Sequence, residues 1–380
     1  MIRPSYLYDS LIKHGTDFFA GVPDSLLKNF CAYVTDNALP EKHIISANEG
    51  SATALAAGYH FATGKIPLIY MQNSGEGNMI NPLLSLVDPD VYSVPLLIII
   101  GWRGEPGVHD EPQHVKQGKV TCDLLDAMKI PYEVMTEDES KLNEQLEKAY
   151  SYIKENSAPY AFVIRKGTFD EYVLKNNIAV NAPMKREEAI EKIMLAADEK
   201  TAFVSTTGMA SRELYELREK HGMAHEKDFL TVGSMGHASQ IALSIAMQKQ
   251  DKKVFCVDGD GATIMQMGGL ATVGTRNPKN LVHFVMNNGA HDSVGGQPTV
   301  GLSIDIPAIA KACGYKKVYS VSAPEELENT LNEISTAFKN GTNELTFVEV
   351  KVCKGARKDL GRPKSTPLEN KKNFMEFLSK

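Results

Sequence analysis

Short apolar runs rich in β-branched residues alternate with longer segments of helical periodicity along almost the whole chain. This alternation is typical of parallel α/β folds, because each crossover between neighbouring parallel strands needs a helix. The pattern occurs twice in 380 residues, a length that exceeds one typical core. We therefore predict an α/β protein with two tandem doubly wound parallel-sheet domains. The predicted strands are 17–22, 43–48, 67–72, 95–102 and 160–167, then 202–208, 229–234, 253–260, 281–288, 316–321 and 345–352.

The join between the two domains is expected where strand and helix periodicity is lost, in TFDEYVLKNNIAVNAPMK. We predict a first domain at 1–170, a linker at 171–186 and a second domain at 187–380. No low-complexity tract or short repeat interrupts this plan. The clearest predicted helices are 25–34, 51–64, 187–198, 211–222 and 324–341.

Charge and cysteine content narrow the class of protein. The formal net charge of -6 argues against a general role on nucleic acids or anionic membranes. The N-terminus lacks the apolar core of a signal peptide, and the five cysteines are scattered, which favours a reducing compartment without structural zinc. We expect a cytoplasmic protein that contacts neither nucleic acid nor membrane and binds any anion through a local cluster of donors.

The stretch VFCVDGDGATIMQMGG places Asp260 at the carboxyl end of a predicted strand, where open parallel sheets bind ligands. Gly259 and Gly261 are expected to let the backbone turn sharply and approach a ligand closely. A helix from about Ala262 is expected to direct its free N–H groups at an anion. Ile264 stands where a dinucleotide fingerprint needs glycine, and the lysine of a Walker A loop is missing, so neither motif is present.

The next predicted strand ends in Asn287 and Asn288, followed by Gly289. A carboxylate and a carboxamide then stand at the tips of two strands that can be neighbours. Hard oxygen ligands of this kind suit Mg²⁺ or Ca²⁺, and a diphosphate completes the coordination. Two unrelated turns are the alternative interpretation, which the spacing and both strand contexts disfavour.

GDG, 25 intervening residues and NN resembles the cofactor motif of the thiamin diphosphate-dependent decarboxylase superfamily. The resemblance implies thiamin diphosphate and Mg²⁺ as cofactors. It implies that Asp260, the Asn288 side chain and the Ala290 carbonyl ligate the metal, and that Asn287 supports the turn. Gly259, Gly261 and Ala262 are then expected beside the diphosphate.

Glu49 begins the Ala-rich segment EGSATALAAGYHFATG, directly after a predicted strand. By the same resemblance, its carboxyl hydrogen-bonds the aminopyrimidine of the cofactor and promotes loss of the C2 proton. A glutamate that merely favours a helix N-terminus is the alternative. In this superfamily the two domains that share one cofactor belong to different chains, so a homodimer is the expected minimum active unit.

Two further segments resemble cofactor-binding parts of the superfamily. In TVGSMGHAS, Met235 is expected to wedge between the two rings of the cofactor, and the Gly233 carbonyl is expected to accept from the aminopyrimidine. A methionine that fills the core is the alternative. TTGMASRE starts a helix whose N-terminus, with Thr206 and Thr207, is expected to hold diphosphate oxygens.

The chain lacks room for the central third domain of the larger decarboxylases. GVPDS, QNSGEGNMINPLLSL, GWRGEPGVHDEPQHVKQG and GARKDLGRP resemble the compact branch that decarboxylates phosphonopyruvate, whose nearest relatives decarboxylate sulfopyruvate. Because sulfopyruvate enzymes are often split into two subunits, a single chain favours the phosphonate branch. The resemblance implies formation of phosphonoacetaldehyde and CO₂ in phosphonate biosynthesis.

A small anionic 2-oxo acid needs donors, and the segment after strand 95–102 offers Arg103, His109, His114 and Lys116. We expect Arg103 and His114 to face the substrate, with His114 or a water as proton donor. The acids of this loop are expected to be solvated. These acids are Glu105, Asp110 and Glu111.

Other residues are assigned on weaker grounds. Asp24 and Ser25 are expected near the substrate, although helix capping alone explains both. His291 is expected at the reacting centre, and the basic segment 351–364 as a mobile lid or an exposed loop. The alternatives to a phosphonopyruvate decarboxylase are a sulfopyruvate decarboxylase and a non-catalytic thiamin diphosphate-binding protein; the missing glycine fingerprint disfavours a nicotinamide oxidoreductase.

Overall fold

The computed structural model describes residues 1–176, 180 and 182–380. In this part of the chain the strands form two six-stranded sheets in which every pairing is parallel. Helices alternate with the strands throughout. The predicted α/β fold with two doubly wound sheets is therefore confirmed.

The first sheet has the strand order β2-β1-β3-β4-β6-β5. Its strands are β1 (Phe19–Gly21), β2 (His43–Ile45), β3 (Leu68–Gln72), β4 (Leu96–Gly101), β5 (Tyr132–Val134) and β6 (Pro159–Ile164). The helices around it are α1 (Pro4–Lys13), α2 (Lys28–Asn37), α3 (Glu49–Thr63), α4 (Glu76–Pro82), α5 (Pro112–Ala127) and α6 (Glu139–Asn156).

Strand β4 shows why this sheet is covered on both faces. All six of its residues are buried. Leu97 and Ile99 pack into one apolar cluster, whereas Ile98 and Ile100 pack into another. Since successive side chains of a strand point to opposite faces, each face carries its own core, as a doubly wound sheet requires.

The second sheet has the strand order β11-β12-β10-β9-β7-β8. Its strands are β7 (Thr201–Ser205), β8 (Asp228–Leu230), β9 (Lys253–Gly259), β10 (Leu281–Asn287), β11 (Lys317–Val321) and β12 (Thr346–Lys351). The helices are α7 (Arg186–Ala196), α8 (Met209–Lys220), α9 (Ala238–Gln248), α10 (Asp260–Met265), α11 (Gly268–Arg276), α12 (Ile306–Cys313), α13 (Pro324–Lys339) and α14 (Pro367–Ser379).

The chain divides into two compact units. One comprises Met1–Asn177 with His291–Pro298, and the other comprises Ile178–Ala290 with Thr299–Lys380. The predicted linker 171–186 lies around this division, but its residues 177–179 and 181 lie outside the described residues. The boundaries of 1–170 and 187–380 stay a prediction.

Two details differ from the sequence-based expectation. Strand β5 was not predicted, because it is a three-residue, half-buried strand at the sheet edge and carries little apolar signal. Helix α2 begins at Lys28 rather than at residue 25, since residues 25–27 form a turn instead. Among the described residues, no helix combines the length and the apolar character that crossing a bilayer requires.

Candidate active site

The predicted cofactor residues of the second half follow four strands that are neighbours in the sheet, in the order β8-β7-β9-β10. Strands β9 and β10 pair in parallel, with Gly259 opposite Met286. Because the carboxyl ends of parallel strands lie at one edge, the sheet brings these segments together. They are Gly233 and Met235 after β8, Thr206 and Thr207 after β7, Asp260 after β9, and Asn288 and Ala290 after β10.

Asp260 is a buried carboxyl at the tip of β9. Burial raises its pKa to about 6, although the Thr299 hydroxyl and the backbone N–H groups of Gly261 and Asn288 donate to it and partly oppose this shift. No lysine, arginine or histidine of the described part of the chain pairs with it. A buried carboxylate without a cation is a costly arrangement, which an added cation relieves.

The two asparagines at the end of β10 shape the turn beside Asp260. The Asn287 carboxamide accepts from the Gly289 N–H at 3.2 Å and donates to Glu349 and to the Gly301 carbonyl, both at 2.7 Å. It supports the turn, which matches its predicted part. The Asn288 side-chain oxygen accepts from the Ala290 N–H at 3.0 Å. Asn288 is buried, and the backbone N–H of Asn288 donates a hydrogen bond to the Asp260 carboxyl.

The GDG turn differs from expectation in its backbone. Gly259 is extended, with φ -118° and ψ 157°, so the sharp turn predicted there is wrong. A Cβ at Gly259 meets no atom within 4 Å, which agrees with an open face on which a ligand can approach. Helix α10 begins at Asp260, before Ala262, and spans only six residues, so its N-terminus is a weaker anion site than predicted.

The segment after β8 folds back onto α10. Ser234 and Gly236 both adopt positive φ values, 51° and 87°, on either side of the half-buried Met235. A Cβ at Gly236 stands 3.0 Å from the Ala262 carbonyl oxygen, so the two segments touch. The turn presents Met235 beside α10 instead of burying it fully in the core.

Thr206 and Thr207 connect β7 to α8. Thr206 is buried, and its backbone N–H donates to the Val257 carbonyl at 2.8 Å. The Ser211 hydroxyl in the first turn of α8 donates to the Thr206 carbonyl at 2.7 Å. Gly208 precedes the helix with φ 94°, a conformation that favours glycine. These contacts hold the start of α8 against β9.

The predicted residues of the first half also follow neighbouring strands, in the order β2-β1-β3-β4. Glu49 starts α3 after β2, and Asp24 and Ser25 follow β1. The segment 102–114 follows β4, ends in the first turn of α5 and is called the β4 loop below. The start of α3, together with Gly75 and with Glu76 and Asn78 at the start of α4, is called the α3–α4 corner.

In the α3–α4 corner, Glu49 is 4% exposed and its Oε2 accepts from the Asn78 carboxamide at 2.7 Å. Burial raises its pKa, and the Asn78 hydrogen bond opposes this only in part. A Cβ on Gly75 would stand 2.3 Å from Glu49 Oε1, so Gly75 gives the carboxyl its space. Asn48 caps α3 by accepting from the Ser51 N–H at 2.9 Å, which leaves the Glu49 side chain free of that task.

Glu76 is a second buried acid of this corner. Burial raises its pKa to about 8, against a hydrogen bond with Thr121 that lowers it. Its Oε1 has no hydrogen-bond partner within the described residues. A carboxyl in this environment is largely protonated at neutral pH.

The β4 loop is organised by Asp110, which the sequence pattern assigned to a solvated surface. The Asp110 side chain is 14% exposed and pairs with both Arg103 and His114. Burial alone raises its pKa, but these partners and the backbone N–H groups of Gly104 and Glu111 lower it well below the usual range. The expected solvation of Asp110 is therefore wrong, because tertiary folding encloses it.

The turn after β1 faces the same loop. Asp24 is fully buried, accepts from the backbone N–H of Leu26 at 2.8 Å and from the Gln72 carboxamide at 2.7 Å. The Ser25 hydroxyl accepts from Arg103 Nη1 at 2.8 Å. Ser25 therefore contacts the predicted substrate-binding arginine, whereas Asp24 caps its own turn.

Several site neighbours escaped the sequence analysis, and all of them except Asp110 act through a contact distant in sequence. Asn73 holds the backbone of Arg103 through its carboxamide at 2.8 Å and 3.2 Å. Thr299 contacts Asp260 across 39 positions. The segments QNSGEGNMINPLLSL and GWRGEPGVHDEPQHVKQG, singled out by resemblance, contain all of this set except Thr299. The missed residues are Gln72, Asn73, Asn78, Asp110 and Thr299.

The surroundings of His291 and of segment 351–364 differ from those expected. His291 follows β10 but clusters with the first unit, and loss of solvent around its ring lowers its pKa to about 4. In segment 351–364, Arg357 pairs with Glu187 at 2.9 Å and also with Glu216, and Arg212 donates to the Gly361 carbonyl at 2.6 Å. These contacts favour an anchored segment over a mobile lid.

The donors at the tips of β9 and β10 fit a magnesium ion that carries a diphosphate. Asp260 is a buried carboxylate without a cation among the described residues, and carboxamide and carbonyl oxygens lie on the next strand. A Cβ on Gly301 would stand 2.6 Å from Asp260 Oδ2 and 2.8 Å from Asn287 Oδ1, so the chain closes over this group. Oxygen donors of this kind are the ones Mg²⁺ prefers.

Comparison with known proteins agrees with this chemistry. Residues 4–128 match the N-terminal TPP binding domain of thiamine pyrophosphate enzymes, and residues 204–350 match their C-terminal TPP binding domain. A phosphonopyruvate decarboxylase from Streptomyces viridochromogenes is 34% identical over 394 residues, which cover 100% of this chain and 96% of that protein. The chain belongs to the thiamine pyrophosphate enzymes.

Two further relatives of this thiamine pyrophosphate enzyme are similar over nearly their full length. A phosphonopyruvate decarboxylase from Streptomyces hygroscopicus is 34% identical, with 100% of this chain and 94% of that protein covered. A sulfopyruvate decarboxylase from Methanosarcina acetivorans is 30% identical, with 96% of this chain and 94% of that protein covered. Since the latter also spans both domains in one chain, a single chain does not exclude the sulfopyruvate branch.

The cofactor of this thiamine pyrophosphate enzyme is thiamin diphosphate, and Mg²⁺ is the usual partner metal in the family. Glu49 lies inside the matched N-terminal domain, and Asp260 and Asn288 lie inside the matched C-terminal domain. Each candidate carboxyl thus falls within one of the two cofactor-binding domains.

Proposed function

We propose that this thiamine pyrophosphate enzyme decarboxylates 3-phosphonopyruvate to phosphonoacetaldehyde and CO₂, as a step in phosphonate biosynthesis. The observation that carries the chemistry is Glu49, a buried carboxyl with a raised pKa at the start of α3. Two relatives with the matching name, each 34% identical over the whole chain, support the choice of substrate.

Glu49 is the residue that shares a proton with the cofactor. Thiamin diphosphate, when bound, supplies the electron sink that loss of CO₂ from a 2-oxo acid requires. Burial favours the protonated form of Glu49, and Gly75 and Asn78 fix where its carboxyl stands. A proton held at a fixed carboxyl oxygen is what a general acid–base group needs.

The second unit supplies the groups that hold the cofactor and the metal. Asp260, the Asn288 side chain and the Ala290 carbonyl are the proposed Mg²⁺ ligands, and their oxygen chemistry supports this assignment. The burial of Asp260 without a cation among the described residues supports it further. The remaining proposed cofactor contacts are Thr206, Thr207, Gly233, Met235, Gly259, Gly261 and Ala262.

The first unit supplies the proposed substrate contacts. Arg103 is the donor for the anionic substrate, because a guanidinium binds planar or tetrahedral oxyanions through paired N–H groups. Ser25 accepts from Arg103 and Asp24 holds the adjoining turn, so both act beside it. His114 is the proposed proton donor. We also propose His291 as a second proton-transfer group. Its lowered pKa keeps the imidazole ring neutral.

Self-association completes the proposed site. The superfamily resemblance implies that Glu49 of one copy acts on the cofactor held by another copy, which makes a homodimer the smallest active form. Mixing an inactive Glu49→Gln chain with an inactive Asp260→Asn chain tests this arrangement. Recovery of activity on mixing is expected if the two residues belong to different subunits, and no recovery is expected if one chain supplies both.

Sulfopyruvate decarboxylation is the second candidate, favoured by the relative from Methanosarcina acetivorans. The deciding assay measures CO₂ release by the purified enzyme, with Mg²⁺ and thiamin diphosphate, from each substrate at equal concentration. A larger kcat/KM for phosphonopyruvate is expected. A larger value for sulfopyruvate assigns the enzyme to the other substrate, and no release from either leaves the non-catalytic cofactor-binding protein.

A further inference from the structure

The hydrogen-bond donors of the β4 loop converge on the side chain of Asp110. Its Oδ2 accepts from Arg103 Nε and from the Gly104 N–H, both at 2.8 Å. Its Oδ1 accepts from Arg103 Nη2 at 2.5 Å, from the Glu111 N–H at 2.7 Å and from His114 Nδ1 at 2.9 Å. Five donors therefore converge on one carboxylate, more than a residue with a purely surface role needs.

The contact with Asp110 determines which ring nitrogen of His114 carries the proton. An ionised carboxylate only accepts hydrogen bonds, so Nδ1 must be the donor. Nε2 then carries the lone pair in the neutral ring, and within the described residues it has no hydrogen-bond partner. Burial lowers the pKa of His114, which keeps the ring neutral near pH 7 despite the opposing effect of Asp110.

The same carboxylate orients Arg103. Asp110 takes the Nε and Nη2 donors as a fork, and Ser25 takes one donor of Nη1 at 2.8 Å. These contacts use three of the five N–H bonds of the guanidinium, which leaves two for a ligand. Asn73 clamps the Arg103 backbone, so the side chain starts from a fixed point.

The backbone of the loop is built around this contact. Gly104 has φ 70°, and a Cβ there would stand 2.1 Å from the His114 carbonyl oxygen. Gly118 approaches the Gly104 carbonyl even more closely, at 1.8 Å for an added Cβ, and its own carbonyl accepts from Trp102 Nε1 at 2.8 Å. Glycine at both positions lets the loop press against α5 and brings Asp110 onto His114.

We propose that Asp110 is a positioning residue that holds His114 in the Nδ1-protonated tautomer and fixes the guanidinium of Arg103. His114 thereby presents Nε2 as the nitrogen that takes up a proton and then donates it, and Arg103 offers its two remaining N–H groups to the anionic 2-oxo acid. The inference rests on the proposed function for its catalytic consequence, but not for its geometry. A side chain that sets the tautomer and direction of a reacting group acts through that group and is expected to affect turnover.

The first test reads the tautomer directly. Long-range ¹H–¹⁵N spectra of enzyme labelled at its ten histidines, recorded without cofactor at pH 7, are compared with spectra of His114→Gln to assign His114. The expected wild-type signal has a protonated Nδ1 and an unprotonated Nε2. A protonated Nε2 in the wild type overturns the proposal, and this measurement needs no variant at Asp110.

The second test combines the tautomer with turnover. In Asp110→Asn, His114 is expected to populate both tautomers, and kcat for phosphonopyruvate is expected to fall by about 10- to 100-fold. KM is expected to rise because Arg103 is released as well. The matched control is Glu105→Gln, since Glu105 belongs to the same loop but pairs with Arg165 at 2.7 Å. It should keep the tautomer, kcat and thermal midpoint of the wild type.

The outcomes separate this inference from the proposed function. An unchanged tautomer in folded Asp110→Asn, or a changed tautomer with unchanged kcat, overturns the positioning role. If the wild type releases no CO₂ from either 2-oxo acid, the proposed function fails, while the wild-type spectrum still decides whether Asp110 holds His114.

Discussion

The α3–α4 corner and the β4 loop lie at the carboxyl edge of the same sheet, yet they treat their acids in opposite ways. In the corner, burial raises the pKa of Glu49 and raises that of Glu76 to about 8. In the β4 loop, the pKa of Asp110 lies well below its usual range despite burial. The difference lies in the partners, since the loop contains its own cation and two backbone donors.

The comparison teaches that burial alone does not decide the charge of a carboxyl. Glu49 has one side-chain donor, Asn78, whereas Asp110 has Arg103 in a forked pair and three further donors. A buried carboxyl with few hydrogen-bond donors tends to keep its proton. A buried carboxyl with many donors and a neighbouring cation stays ionised and can hold those donors in place. Asp260 of the other unit resembles the acids of the corner in its electrostatics, because burial raises its pKa to about 6 and no described residue supplies a cation.

The largest effect is expected for Glu49→Gln, which removes the proton-holding group from the corner and keeps its size. CO₂ release should fall by about 10²- to 10⁴-fold, the usual range for loss of a general acid–base group. Calorimetry should show thiamin diphosphate affinity close to that of the wild type. Glu144→Gln, on the exposed face of α6, is the control and should keep full activity. Near-normal turnover of Glu49→Gln would refute its role.

Asp260→Asn tests whether Asp260, which has no cation among the described residues, is a ligand of Mg²⁺. The substitution keeps the shape but removes the charge that Mg²⁺ needs, so Mg²⁺-dependent binding of thiamin diphosphate should be lost. Calorimetric titration with and without Mg²⁺ measures this. Asp251→Asn, in the exposed turn before β9, should bind as the wild type does. Equal affinity in Asp260→Asn and the wild type contradicts the ligand assignment.

Gly75→Ala sharpens the comparison by moving the Glu49 carboxyl without removing it. The added methyl group would stand 2.3 Å from Oε1, and the carboxyl is the part that can yield. We expect turnover to fall by about 10- to 100-fold, since small misplacements of a reacting group are costly. Gly77→Ala is the matched control, because a Cβ there meets no atom within 4 Å. If both variants turn over equally, the position of the carboxyl does not limit the reaction.

The smallest effect concerns stability and the pH dependence of Glu76. Its pKa rises from 4.5 to about 8 on folding, so the folded state binds its proton more tightly. Its stabilising contribution is complete below pH 4.5 and is lost as the pH rises through about 8, by about 1.4 kcal/mol per pH unit in that window. Glu76→Gln stays neutral and should therefore melt at a higher temperature than the wild type at pH 9.

The melting temperatures of the two proteins should approach each other as the pH falls to about 4.5, where Glu76 is protonated in both the folded and the unfolded state. Glu155→Gln, at an exposed position of α6, should follow the wild type at both pH values. A constant difference between Glu76→Gln and the wild type from pH 6 to pH 9 means that the carboxyl of Glu76 does not carry a raised pKa.

The local pattern of apolar residues was sufficient to predict the strands and the two sheets, which recur along the chain. Apolar periodicity predicted eleven of the strands that the structure describes and both parallel sheets, because a buried strand must be apolar whatever its neighbours are. It also placed Asp260 and Asn288 correctly after strands β9 and β10, whereas β2 ends at Ile45 and three residues separate it from Glu49. Strand β5 escaped because three half-buried residues carry too little signal.

The sequence by itself determined the fold class, the strand tips and the polar residues that stand on them. Only the tertiary structure decided which of these residues touch and what charge each carries. Asp110 looked like one acid of a solvated loop until Gly104 and Gly118 let the chain press it against Arg103 and His114. The reason is physical: a pKa depends on the number of donors and the amount of solvent around a group, and both are set by how the chain folds around that group, not by the residue type.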